Sequence, residues 1–276
     1  MTKRLAPLNR KRGFTLIELI MVIILLGIVS AMVSVFMKNP IDAYLASIRR
    51  AELSDAADTV VRRMTRDIRT AVPNSVRVSP DRQCLEFIPT KTGARYRAAP
   101  DGAGNGDTMD FDVADTSFNM LGNNLSQPVG QRIGIGDVVV VYNLGIAGAD
   151  AYLGDNVSAV TAVSPSSSGP DETRIGINPK KFPLASGTNR FQVIPREEKI
   201  VAYVCGVGNL RRTASTDFSS SCAATGPVMA QGVNACNFDY NGSDLQRNAL
   251  ARIVLQLTQA NETVSLLHEI HINNTP

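Results

Sequence analysis

Lys11-Arg12-Gly13-Phe14-Thr15-Leu16-Ile17-Glu18 opens the stretch on which the fold of this chain turns, and apolar sequence follows it as far as Met37. From Phe14 to Met37 there are 24 residues, with Glu18 their single charge. At about 1.5 Å per residue, a helix of that length crosses a hydrocarbon core about 30 Å thick with some tilt. Gly27 and Ala31, like Ser30 and Ser34, are four apart and share a helix face that another helix can approach closely. An ionised carboxylate in hydrocarbon costs about 2.5–3.5 kcal/mol on insertion scales, so Glu18 asks for a partner. The nearest is an amine. A cut after Gly13 would place the new α-amino group of Phe14 one helical turn from Glu18, in the same chain or in a neighbour.

Charge is distributed unevenly around that stretch. Lys3, Arg4, Arg10, Lys11 and Arg12 lie in the first thirteen residues, which carry no acid. The whole chain has 28 Lys+Arg and 25 Asp+Glu, so the remainder holds 23 basic residues against 25 acidic ones. The basic character belongs to the leader and gives no support for nucleic-acid binding. The leader has no apolar core and no A-x-A site, so it is not a conventional secretory signal. The positive-inside bias holds the N-terminus in the cytoplasm and sends the C-terminal part across the membrane.

Beyond the span, Asn39-Pro40 reads as a helix restart, with Asn39 capping and Pro40 at the first helical position. Leu45, Ile48, Leu53, Ala57, Val60, Met64, Ile68 and Ala71 then recur at threes and fours, an amphipathic helix ended by Pro73. Its apolar stripe is expected to pack on a following sheet. After Pro73 short strands alternate with Gly, Pro, Ser and Asp. The expected strands cover residues 85–88, 108–113, 138–143, 157–163, 174–177, 191–194, 199–204, 238–240, 252–258 and 263–272. The last two form a hairpin turning at about Ala260-Asn261-Glu262, with Ile253, Leu255 and Leu257 on one face and Val264, Leu266, Ile270 and Ile272 on one face of its partner strand. Polar runs at 100–107, 165–172 and 213–221 read as surface loops. The resulting fold class is α+β: a long N-terminal helix, half membrane span and half amphipathic, packed on a mainly antiparallel β domain. The expected divisions are a leader at 1–13, a span at 14–37, a helical continuation at 38–72 and one β-rich domain at 73–276.

Chemistry-bearing residues are sparse. Cys84, Cys205, Cys222 and Cys236 form no CxxC pair, and with two histidines in the chain they argue for disulfides over zinc. Four cysteines permit three connectivities. The favoured one joins Cys205 to Cys222 across a short polar loop and Cys84 to Cys236 between two strands. Asp101, Asn105 and Asp107 could offer oxygen ligands to calcium, but the spacing is not an EF-hand and no bidentate Glu follows, so a flexible Gly-rich loop is the better reading. His268 and His271 are three apart in a strand and point to opposite faces, which argues against a shared metal. No GxSxG, HExxH, Walker A or dinucleotide signature occurs, so neither an enzyme nor a bound cofactor is expected.

Arg12-Gly13-Phe14-Thr15-Leu16-Ile17-Glu18, followed by the apolar run, resembles the processing site of type IV prepilins and pseudopilins. The resemblance implies cleavage between Gly13 and Phe14 by a prepilin peptidase, N-methylation of Phe14, and assembly into a helical fibre with Glu18 facing the amine of an adjacent subunit. It differs at Val35, where many major pilins carry proline. Residues Arg66 to Val78 and Cys84 to Pro89 are similar to minor pilins of the mannose-sensitive haemagglutinin (MSHA) pilus, of the MshO type, and in turn to J-type pseudopilins of type II secretion. The resemblance implies a single-pass inner-membrane protein, with membrane lipid as its surroundings before assembly. Other major and minor pilins and the inner-membrane assembly platform would be its partners, and a place in pilus initiation or at the tip its role. A different class of function, a surface-binding module carried on the pilus, is the competing reading for the β domain.

Overall fold

The computed structural model describes residues 13–169, 171–242 and 248–276. The expected leader therefore lies outside the described residues except for Gly13. One helix, α1, runs Leu16–Arg69 over 54 residues without a break. The restart expected at Asn39-Pro40 does not occur, since Pro40 lies inside α1. Pro40 withholds one N–H from the helix ladder, whereas stopping and restarting would incur the nucleation cost a second time. The chain divides after Ala51 into two compact units, so α1 contributes to both.

In the first unit the apolar run of α1 is exposed on every side, and an 18-residue window reaches a mean hydropathy of 2.9. A helix apolar all round and uncovered by protein has the length and composition of a single-pass membrane anchor. In the second unit α1 is amphipathic. Leu53, Ala57, Val60, Val61, Met64 and Ile68 are buried at helical spacing, and that face meets one side of an antiparallel sheet. Each of these side chains except that of Ala57 contributes about 1.5–3 kcal/mol when fully buried.

Among the described residues, thirteen strands follow α1. Strands β1 (Arg77–Val78), β2 (Cys84–Phe87), β9 (Ile200–Gly206), β10 (Gly208–Ser215), β11 (Val228–Asn241), β12 (Asn248–Gln259) and β13 (Glu262–Asn273) form one sheet in the order β1-β2-β9-β10-β11-β12-β13. Strands β3 (Thr92–Tyr96), β4 (Asp115–Leu121), β5 (Val138–Val140), β6 (Val157–Pro165), β7 (Glu172–Lys180) and β8 (Arg190–Ile194) close into a barrel in the order β3-β4-β7-β6-β5-β8. The barrel is inserted between β2 and β9, which pair directly with Phe87 opposite Val201. Its interior is a separate cluster in which Phe118 meets Phe191 edge-on at 5.1 Å between ring centroids. Val72, Ile88, Val138, Val140, Ala151 and Ile194 make a third cluster joining barrel strands to the segments around β2. The β region thus has distinct sheet and barrel clusters.

Several strand expectations change in register or extent. Residues 108–113 are irregular because Asp110 turns the backbone, its Oδ1 accepting from the N–H groups of Asp112 and Val113, and β4 begins only at Asp115. Strand β11 has 14 residues where three were expected. The β12–β13 hairpin is as read, with Gln259 opposite Glu262. Its two-residue loop puts Ala260 and Asn261 at φ of 47° and 67°, the left-handed pair that a type I′ turn requires.

The disulfides correct the favoured pairing: they are Cys84–Cys222 and Cys205–Cys236. Neighbouring positions of a strand face opposite sides of a sheet. Val204 of β9 lies opposite Cys84, and Cys84 clusters on that side with Val204, Ala202 and Cys222. Cys205 is turned to the other side, where it and Cys236 join the cluster beneath α1. One disulfide sits on each face of the sheet.

Candidate processing and assembly site

Gly13 and Phe14 precede α1 outside regular secondary structure, and Phe14 is 83% exposed. Thr15 caps the helix. Its carbonyl accepts the N–H of Leu19 at 3.2 Å, and its Oγ1 lies 3.4 Å from the N–H of Glu18. The same hydroxyl reaches the Glu18 carboxylate at 3.5 Å. The hydroxyl contact to the Glu18 N–H is one half of a capping box; in place of the reciprocal bond to the cap backbone N–H, the Glu18 carboxylate meets the cap hydroxyl. Within the subunit the Glu18 carboxylate is therefore oriented toward its own helix start, at Thr15. Thr15-Leu16-Ile17-Glu18 before an apolar run is a readable signature of this cap, and the sequence reading missed it.

Residues 8–34 match the prokaryotic N-terminal methylation motif. This match, followed by an exposed apolar helix, supports a pilin or pseudopilin, a structural subunit processed by prepilin peptidase and assembled with other pilins. No curated protein and no solved structure matches the chain.

The far end of α1 is fixed by a polar clasp that sequence reasoning also missed. The Asp67 carboxylate accepts from the Tyr203 hydroxyl at 2.6 Å and from Arg212 Nε at 3.2 Å. Arg212 then forks onto Glu198 at 2.8 and 2.7 Å. Hydrogen bonding to Arg212 holds the Glu198 carboxyl below its ordinary range, and Glu198 raises the Arg212 guanidinium in turn. Burial, then the Asp67 carboxylate, pushes the Tyr203 hydroxyl up. The one sequence signal for this clasp was an acid, Asp67, beside the buried position Ile68.

The calcium candidates are engaged by the protein itself. Asp101 Oδ1 accepts the N–H groups of Ala103 at 2.9 Å and Asn105 at 2.7 Å, and these bonds, that of Asn105 foremost, lower its carboxyl. Asp107 accepts from Ser117 Oγ at 2.6 Å and pairs with Arg174 at 3.0 Å. Among the described residues no group of three or more His, Cys, Asp or Glu is placed to hold a metal ion. His268 is half-buried on the face of Ile270, and His271 is exposed on the other.

Proposed function

We propose that this chain is a minor pilin of a type IV, MSHA-like pilus, cleaved between Gly13 and Phe14 and assembled through α1. The leader stays in the cytoplasm, α1 crosses the inner membrane once, and the β region lies on the periplasmic side until the subunit enters the fibre. Phe14 is N-methylated, and Glu18 exchanges its contact with Thr15 for the amine of a neighbouring subunit. The subunit acts in pilus initiation or at the tip, where a bulky barrel added to the sheet does not need to repeat along the fibre. The observation that carries this reading is the exposed apolar helix beginning directly after Gly13-Phe14, with Glu18 its single acid before Met37.

Two substitutions test it. Gly13→Ser leaves an uncleaved precursor, and N-terminal mass spectrometry that found a mature methylated Phe14 end would refute the cleavage assignment. Glu18→Ala is cleaved and inserted but enters sheared fibres poorly, so normal incorporation would refute the amine pairing. In a deletion strain piliation falls. Loss of protein secretion with pili intact would instead assign the chain to a J-type pseudopilin.

A further inference from the structure

The face of α1 turned away from the sheet carries a divided charge pattern. Glu52, Asp55 and Asp58 precede Arg62, Arg66 and Arg69 at spacings of three and four, which place them on one side of the helix. Asp58 and Arg62 pair with each other in the middle at 2.5 Å. The outer four are exposed and, among the described residues, have no hydrogen-bond or ion-pair partner for their side chains. The acids are separated from the arginines by 11 to 17 residues, about 16–26 Å along the axis, too far to pair within the helix. The helix dipole accounts for arginines in the last turn but not for acids in the interior of a 54-residue helix.

The two unpartnered pairs have the same internal spacing, since Glu52 and Asp55 are three apart, as are Arg66 and Arg69. We infer that this stripe docks on the same stripe of a second copy of the chain. The helices run parallel, and one copy is displaced by 14 residues, about 21 Å, so that Glu52 meets Arg66 and Asp55 meets Arg69 together. At zero displacement acids face acids and arginines face arginines. Two copies at one depth in a membrane therefore repel, and they attract once one has been raised by about four helical turns. Such a contact uses different patches on its two sides and leaves each outer patch open to a further copy. The inference rests on the assembly reading above, and it requires at least two adjacent copies in the initiating or tip complex.

The test uses full-length chain with two tags. Ala56→Cys in one copy and Thr70→Cys in the other, exposed positions 14 apart that follow Asp55 and Arg69 at the edge of the stripe, are joined by a short bis-maleimide in isolated fibres, whereas Ala56→Cys with Ala56→Cys is not. Adding Glu52→Arg and Asp55→Arg to both copies lowers the yield about tenfold. Yield returns when those changes are confined to the Thr70→Cys copy and Arg66→Glu with Arg69→Glu is placed in the Ala56→Cys copy. Unchanged crosslinking after charge reversal, or no recovery in the mixed pair, would overturn the docking. Tagged copies that enter fibres with other pilins but never crosslink to each other would overturn the second copy as occupant. Wild-type chain absent from every fibre would remove the assembly reading and this inference with it.

Discussion

At the scale of single residues, α1 is held at both ends by side-chain oxygens doing different work. Thr15 closes the first turn and holds the Glu18 carboxylate at the helix start. Asp67 ties the last turns to β9 and β10 through Tyr203 and Arg212. Tyr203 is fully buried, so removing its acceptor leaves a hydroxyl without a partner. Asp67→Ala is expected to lower unfolding free energy by about 1–3 kcal/mol, and Asp67→Asn, which retains an acceptor, by less. Chemical denaturation of the three proteins checks this, and equal losses would show that the hydroxyl contact contributes nothing. The clasp also fixes a pH dependence. The folded carboxyl of Glu198 lies below its usual value, so its contribution is fully present above the unfolded value of about 4.3 and is lost as pH falls through the folded one. Melting temperature should fall on acidification through that window, and Glu198→Gln should make the fall shallower.

Among the elements, the β12–β13 hairpin is the one whose sequence states its structure most fully, and it also contains a local conflict. Ala260 occupies a left-handed position that costs a residue with a Cβ about 1–2 kcal/mol. Ala260→Asn should therefore stabilise the chain by about 0.5–1 kcal/mol, while the β-branched Ala260→Val should destabilise it. Opposite signs in thermal unfolding are the expected result, and the same sign for both would exclude the turn as their cause. The hairpin was legible because alternation and turn lie within 26 residues of chain. The amphipathic half of α1 was legible for a similar reason, a 3.6-residue period ended by Pro73. Strands β3 and β4 were not, since their residues become strand by pairing with distant partners such as Arg190 and Ile175, whereas β10 pairs locally with β9, Asn209 opposite Gly206, and its polar residues Arg211, Arg212 and Thr213 hid it. The disulfides needed one fact more, the face on which each cysteine lies, and a shift of one residue in the register of β2 against β9 would have reversed it. At the processing site the Gly13-Phe14 junction and Glu18 were both legible, and the Thr15 cap was available in the same eight residues.

For the whole molecule, the division of labour follows from where the barrel enters. Strands β2 and β9 are hydrogen-bonded neighbours on both sides of the insertion, and all four disulfide cysteines lie outside it. Replacing residues 91–195 by a short Gly/Ser turn should therefore leave a chain that pairs β2 with β9, packs α1 on the sheet and forms Cys84–Cys222. It should also be less stable. Val72 and Ile88 would lose their cover, at about 1.5–3 kcal/mol each. Arg77 would lose both Asp150 at 2.5 Å and the Tyr152 ring beneath it, and Pro73 would lose the donor Asn143. Val72→Thr with Ile88→Thr should recover solubility, because the exposed surface they leave is the principal defect. Peptide mapping under non-reducing conditions and N-terminal mass spectrometry read the outcome: both native disulfides and a mature Phe14 end are expected. A shortened chain that is processed but scrambles its cysteines would mean that the sheet acquires its register only with the barrel present, and that barrel and sheet fold as one unit.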